Sequence, residues 1–286
     1  RQVVKAHQAT HADGVGILYV IATPIGNLGD GSDRMRATLA ACDAIAAEDT
    51  RVAAKLLRLY GIEGKRVVSV RQHNERRQAL ALADKMRGKS LGYVSDAGTP
   101  GISDPGAVLV AGFREAGFAI VPVPGCSAVA AALSAAGFGA DEFAFVGFLP
   151  RQKEQAARRL REFAGLAVPL VAFEAARRLA GTLDTIAAAL GDDVPVCVAA
   201  ELTKLHEDIT VLPAAAQAER VRAEASPKGE RTLVIDCRGL RPDGAGAAKA
   251  LEVLAKELPP RQAARLAARI SGGDARRLYR QLVKDG

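Results

Sequence analysis

The sequence predicts an α/β fold in two domains followed by a small basic helical appendage, and three observations predict it. Short apolar runs alternate with amphipathic stretches from residue 17 to residue 237, the pattern of strands laid between covering helices. The chain has 286 residues, more than one average domain requires and enough for two. The formal net charge of +7 is unevenly placed: residues 241–286 carry +5, against +1 in 1–14 and +1 in 15–240.

A near-neutral body with a cationic end points to a polyanionic partner, although a solvated helix face would give the same count. Hydrophobic residues make up 49% and charged residues 25%, which supports a packed core and excludes wholesale disorder. Cys42, Cys126, Cys197 and Cys237 form no CxxC pair. A metal site or disulfide framework is therefore not indicated, and reduced thiols in the cytoplasm are expected. No apolar run reaches the ~18–20 residues that span a bilayer, so no membrane partner is expected. Residues 1–14 lack the apolar centre of a signal peptide and read as a flexible tail.

The elements follow in order. ILYVIA (17–22) is a buried strand leading into the loop ATPIGNLGD. Ser32 caps a helix to about Ala41, and AIAA (44–47) is the second strand. Thr50 caps a helix that stops at Gly61. KRVVSV (65–70) is a strand, Asn74 caps a helix to about Arg87, and SLGYV (90–94) is a strand. After SDAGTPGISDPG, Pro105 takes the first turn of a helix through Ala116. FAIVPV (118–123) completes a first domain, 15–124, on a parallel sheet. The second domain, 125–240, opens with a helix after the PG turn. Its strands are EFAFVGFL, VPLVAFE, VPVCVAA and RTLVIDC, with helices over 152–164, 177–190 and 213–223.

RPDGAGA (241–247) reads as a linker before two short helices. Arg261, Arg265 and Arg269 are four apart and share one helix face, and Arg276, Arg280 and Lys284 repeat the spacing. Such stripes bind phosphates and position RNA without reading its sequence. A helical cap that keeps its cations in solvent is the alternative.

The loop at 95–106 carries Gly98, Gly101 and Gly106 between a strand and a helix, where α/β sheets bind ligands. It matches neither GxGxxG nor the P-loop, so an ATPase is not indicated. EDTR (48–51), HNE (73–75) and Ser95-Asp96 follow three successive strands, whose ends lie side by side in a parallel sheet. Asp49, Thr50 and Asn74 are either site residues or helix caps. ELTKLHED (201–208) and SPKGER (226–231) gather Lys204, His206, Lys228 and Glu230 beside later strands. No zinc spacing or Ser–His–Asp arrangement is evident.

In that order LYVIATPIGNLGD, AEDTR, HNE, VSDAGTPGISDPG, VPVPGCSAVAAAL, GFLPR, AAELTKLHED and PKGERTLVI resemble the bacterial 16S ribosomal RNA cytidine 2′-O-methyltransferases. These belong to the tetrapyrrole methylase superfamily, the class III S-adenosylmethionine methyltransferases. The resemblance covers about residues 16–240, and the last helices are similar to that family's C-terminal appendage. It implies two α/β domains of tetrapyrrole-methylase type with S-adenosylmethionine in the cleft between them, and a homodimer. It also implies 2′-O-methylation of a cytidine ribose in the decoding region of 16S rRNA, whether naked or in the 30S subunit.

By motif position the resemblance implies cofactor contacts at Pro24, at Gly98, Thr99, Pro100 and Ile102, at Ser127 and Ala128, and at Phe173 and Glu174. Asp49, Arg51, His73, Glu75, Asp96, Lys204 and Lys228 are then the candidates for binding the nucleotide and accepting the hydroxyl proton. There are two departures. Glu174-Ala175-Ala176-Arg177-Arg178 stands where the family usually has Glu-Ala-Pro-His-Arg, and Ala200 stands where it often has Arg. C-methylation of a porphyrin-like ring is a rival activity, and a non-catalytic ribosome-assembly factor is a rival of another class. AEDTR, HNE and the cationic appendage favour the RNA-directed branch, and the full set of loop motifs favours catalysis.

Overall fold

The computed structural model describes residues 16–70, 75–104, 106–224, 229–240, 245–271 and 275–284. The expected tail, His73, Asn74, Pro105 and Lys228 lie outside the described residues, as do the side chains of Glu75 and Lys284. By internal packing the chain forms two units: residues up to 131 together with 202–205, and residues 132–201 together with 206–286.

The first unit is built on β1 (Ile17–Ile21), β2 (Ala44–Ala47), β3 (Arg66–Ser69), β4 (Ser90–Val94) and β5 (Ala119–Val123). All neighbours pair in parallel, in the order β3-β2-β4-β1-β5. Parallel neighbours need crossover connections, and α1 (Asp33–Ala41), α2 (Thr50–Leu59), α3 (Glu75–Lys85) and α4 (Ala107–Glu115) run between the strands. Met35, Leu39 and Leu57 of α1 and α2 cover one face of the sheet, and Ala79, Ala83, Leu109 and Phe113 of α3 and α4 cover the other. β1 feeds both cores, Ile17, Tyr19 and Ile21 on one side and Leu18 on the other. That is why ILYVI reads as an unbroken apolar run.

One helix start differs from expectation, and a second rests on a glycine. Asp49, not Thr50, caps α2, its Oδ1 accepting the Arg51 amide at 2.8 Å. A carboxylate one residue earlier reaches the free amides of the first turn better than the threonine could. Helix α4 is described from Ala107, with Gly106 as its cap at φ +137°. A Cβ on Gly106 would lie 2.6 Å from Cε1 of Tyr93, and Tyr93 is fully buried.

Helix α5 (Ala128–Ala136) leads to the second sheet, of β6 (Ala144–Phe148), β7 (Leu170–Ala175), β8 (Pro195–Ala200), β9 (Asp208–Pro213) and β10 (Glu230–Ile235). The order is β6-β7-β10-β8-β9, and β6–β7 is the parallel pair while the other three pairs are antiparallel. Helices α6 (Lys153–Ala164), α7 (Leu179–Leu190) and α8 (Ala214–Arg222) supply Leu160, Leu179, Leu183 and Ala218 to its core. β9 was not expected. It is a half-exposed edge strand, tied down by the buried Gln217, whose Nε2 donates to Val196 O at 3.0 Å and Thr210 O at 2.9 Å.

Three helices, not two, form the appendage: α9 (Ala245–Glu257), α10 (Pro260–Ser271) and α11 (Ala275–Lys284). Helix α9 takes the last part of the expected linker, because it completes a small core of Leu251, Ala263, Ala264, Ala267 and Leu278. The small residues of α10 face inward, and Arg261, Arg265 and Arg269 are exposed.

Candidate active site

In the first unit the strand order sets the carboxyl ends of the sheet side by side, with Ala47 in register with both Ser69 and Val94. Beyond β1 and β4 the two glycine loops are stitched together. Thr23 N–H donates to Gly98 O at 2.9 Å and Gly98 N–H to Thr23 O at 3.1 Å. Gly98 has φ +75°, a conformation that glycine adopts without strain. The PG turn after β5 joins them, since Thr99 Oγ1 donates to Cys126 O at 3.0 Å.

Pro24, Gly98, Thr99, Pro100, Ser127 and Ala128 are thereby gathered on one edge. Pro24 and Pro100 are buried, and Ile102 is 46% exposed. Ser127 also begins α5, its Oγ accepting the Ala130 amide at 3.4 Å. The Thr23 hydroxyl, which sequence reasoning passed over, is buried among these turns with no hydrogen-bond partner among the described residues. A buried orphan hydroxyl costs free energy unless a ligand or water meets it. That orphan is an unmet polar atom where the two glycine loops join.

The polar set after β2 and β4 is also assembled. Asp96 Oδ1 accepts the Asp49 amide at 3.2 Å. Asp49 closes on Arg51, Oδ2 to Nη2 at 2.7 Å. The Arg51 guanidinium and then the Arg51 amide hold the Asp49 carboxyl far below the usual range, while Asp49 raises Arg51 in turn. A carboxylate so stabilised is a weak base. Glu48, which was quoted within EDTR but not singled out, behaves oppositely. Burial first, and then the charges of Asp96, Asp104 and Asp49, push its carboxyl up.

Lys204 stands on the 202–205 strip of the first unit, exposed. His206 and Glu230, in the second unit, are exposed as well. Glu75 opens α3, and its side chain, like His73 and Lys228, lies outside the described residues.

In the second unit, Phe173 packs edge-on to Phe145 at 5.0 Å and Phe148 at 5.7 Å between ring centres. Residues 145 and 148 would face opposite ways in a regular strand. The bulge between Phe145 and Gly147, with Gly147 at φ +64°, restores them to one side. Glu174 is fully buried, and its carboxylate is occupied. Oε2 accepts from Thr182 Oγ1 at 2.6 Å and pairs with Arg178 at 3.3 Å, and Oε1 accepts the Ala175 amide at 2.8 Å. Arg178 also donates to Leu149 O at 3.1 Å and Pro150 O at 3.3 Å. It thus ties the GFLPR loop to the start of α7, whatever the changed residues 176 and 177 do. Arg177 is exposed.

On the appendage, Arg276 and Arg280 are exposed and Lys284 ends α11. Arg261 covers the Tyr279 ring at 5.8 Å. Burial pushes the thiols of Cys42 and Cys237 up to about 12 and that of Cys197 up to about 11, which removes them as nucleophiles. Among the described residues no group of three His, Cys, Asp or Glu side chains stands where it could hold a metal ion. No described helix is long and apolar enough to cross a membrane.

Residues 17–218 match the profile of the Tetrapyrrole (Corrin/Porphyrin) Methylases, and residues 241–285 match the RsmI C-terminal HTH domain. A curated relative from Neisseria meningitidis serogroup B, "Ribosomal RNA small subunit methyltransferase I", is 42% identical over 92% of each chain. Two solved structures share the fold. A conserved hypothetical protein from Aeropyrum pernix K1 has TM-score 0.61 at 16% identity, over 96% of this chain and 98% of that one. Uroporphyrin-III C-methyltransferase from Thermus thermophilus, complexed with S-adenyl homocysteine, has TM-score 0.56 at 16% identity, over 78% of this chain and 98% of that one. With the loops in place and most of its length matched, the chain belongs to the tetrapyrrole methylase family.

Proposed function

We propose that this chain methylates 16S ribosomal RNA of the small subunit, moving a methyl group from S-adenosylmethionine to the 2′-oxygen of a cytidine ribose. The observation that carries the reading is the match, over 92% of both lengths, to a relative named as a small-subunit rRNA methyltransferase. The basic three-helix appendage suits the same substrate, because exposed cations at four-residue spacing meet phosphates. The reading extends to a homodimer that works in the cytoplasm on rRNA or the 30S subunit, without a metal ion.

When bound, the donor supplies a methyl group on a sulfonium whose thioether leaves unaided, so the protein's task is alignment and removal of one proton. Pro24, the Gly98–Ile102 loop and Ser127-Ala128 form the edge that would hold the donor, with the Thr23 hydroxyl as an added polar contact. In the second unit the Phe145–Phe148–Phe173 cluster offers an apolar face, and Glu174 acts through the backbone that it braces. Glu48 is the proton acceptor of the polar set, whereas Asp49 and Arg51 are locked on each other and serve the nucleotide as a rigid pair. Lys204 supplies positive charge for the ribose-phosphate.

The test is transfer of tritium from methyl-labelled donor to 30S subunits taken from cells lacking this protein, followed by digestion to nucleosides. Label should appear in 2′-O-methylcytidine. Label on a base, or none under conditions where the folded protein binds the donor, would sink the assignment.

A further inference from the structure

The strip Leu202–Leu205 packs in the first unit against a loop 176 residues earlier. Its geometry is strained. Thr203 has φ +66° and the preceding Glu201 φ +48°, a left-handed backbone that disfavours side chains and β-branched ones most. Thr203 is held there by a specific bond, the Asn27 N–H donating to its Oγ1 at 3.0 Å. Asn27 is itself fixed, its Oδ1 accepting the Gly29 amide at 2.8 Å.

Gly26 completes the seat. Its φ is not in the left-handed region, so conformation does not demand glycine; space does. A Cβ there would lie 2.6 Å from Cγ of Lys204, 2.8 Å from Thr203 Oγ1 and 2.9 Å from Leu202 O. The stem of Lys204 therefore runs along the loop that begins at Pro24.

We infer that Thr203 is a positioning residue for methyl transfer: its hydroxyl, seated on the Asn27 amide over Gly26, fixes Lys204 against the first donor loop. Strain of this kind persists where the surrounding structure enforces it, typically at functional sites. Glycine at 203 would remove the strain and is absent. The inference rests on the methyltransferase reading above.

Four variants test it: Thr203→Val, Thr203→Gly, Thr203→Ser and Gly26→Ala. Single-turnover transfer to 30S subunits is measured at saturating donor and subunit, with donor affinity by calorimetry and melting temperature alongside. T203V should slow transfer on the order of ten- to a hundredfold, the scale of a misplacement near 1 Å, with donor affinity unchanged. G26A, whose Cβ displaces the donor loop itself, should slow transfer at least as much and weaken donor binding as well. T203S should stay near the wild-type rate. T203G should melt above T203V, since its backbone is relaxed, yet transfer as slowly.

That split separates positioning from mere stability, in which rate would follow melting temperature and T203G would outpace T203V. A T203V rate equal to wild type, a T203G rate restored by its stability, or a loss lying wholly in donor affinity would each overturn the role of Thr203. A wild-type protein that neither binds donor nor transfers label would instead overturn the methyltransferase reading on which it rests.

Discussion

Asp49 and Arg51, two residues apart at the carboxyl end of β2, close a two-point ion pair: Oδ1 accepts from Nε at 3.1 Å and Oδ2 from Nη2 at 2.7 Å. The same carboxylate caps α2. Asp49 is thus committed three times over, while its half-buried neighbour Glu48 has its carboxyl raised by burial and then by the charges of Asp96 and Asp104.

Glu48→Gln should separate the two roles. A carboxyl whose folded value is raised favours the fold in its neutral form. That contribution is complete below the unfolded value of about 4.3 and is lost as pH rises through the folded value. Glutamine mimics the neutral form, so E48Q should melt above wild type at pH 8, and the gain should vanish toward pH 4. Transfer by wild type should rise with pH through the Glu48 titration, and E48Q should lose that limb and most of its rate. A pH-melting series in which E48Q is the less stable protein at pH 8 contradicts this.

For Asp49 the sign reverses. Its folded value is depressed, so its contribution is present above the unfolded value and lost only in strong acid, as pH falls through the folded value. Asp49→Ala should lower the melting temperature throughout pH 5–9 by a constant amount. A difference that changes across that window would show that the ion pair is not closed in solution.

Glu174→Ala removes a fully buried carboxylate and strands Thr182 and Arg178. Breaking a buried pair from one side costs about 3–5 kcal/mol, and the half-buried Arg178, which keeps its bonds to Leu149 and Pro150, sets the lower end. Urea denaturation should show a loss of about 3 kcal/mol. A loss below about 1 kcal/mol, the net worth of one ordinary hydrogen bond, would mean that the network is not formed.

The first sheet was legible in the sequence because its central strands β1, β2 and β4 are apolar runs buried along nearly their whole length, and the half-exposed edge strands β3 and β5 still read as short apolar runs between helices. Pairing the carboxyl-end motifs followed from the parallel order. β9 was not legible, since DITVLP lies at a sheet edge with half-exposed residues and follows the polar ELTKLHED segment. Helix α9 was hidden because its first residues read as linker, whereas Leu251 and Leu254 further along it join the core with Ala263 and Ala267. Asp49 and Thr50 both stood as caps of α2 in the sequence, because both residue types cap helices and one sequence cannot rank them. The seat of Thr203 on Asn27 leaves no local signal at all, because its partners are 176 residues apart. The raised carboxyl of Glu48 depends first on its burial and then on Asp96 and Asp104, all of which only folding supplies.

The appendage makes a separate prediction. Changing Arg261, Arg265 and Arg269 together to Gln should weaken 30S binding and flatten its dependence on salt by about two to three counterions. Donor affinity should be untouched. Arg261 also covers Tyr279, so the triple variant should lose about 0.5–1 kcal/mol of stability. An unchanged salt slope would assign these cations to solvent.

The central claim is most directly tested by mass mapping of ribose methylation in small-subunit rRNA from cells with and without this protein. One cytidine should carry a 2′-O-methyl group only when the protein is present, and should regain it with wild type but not with E48Q. An identical methylation map in both cells would contradict the account.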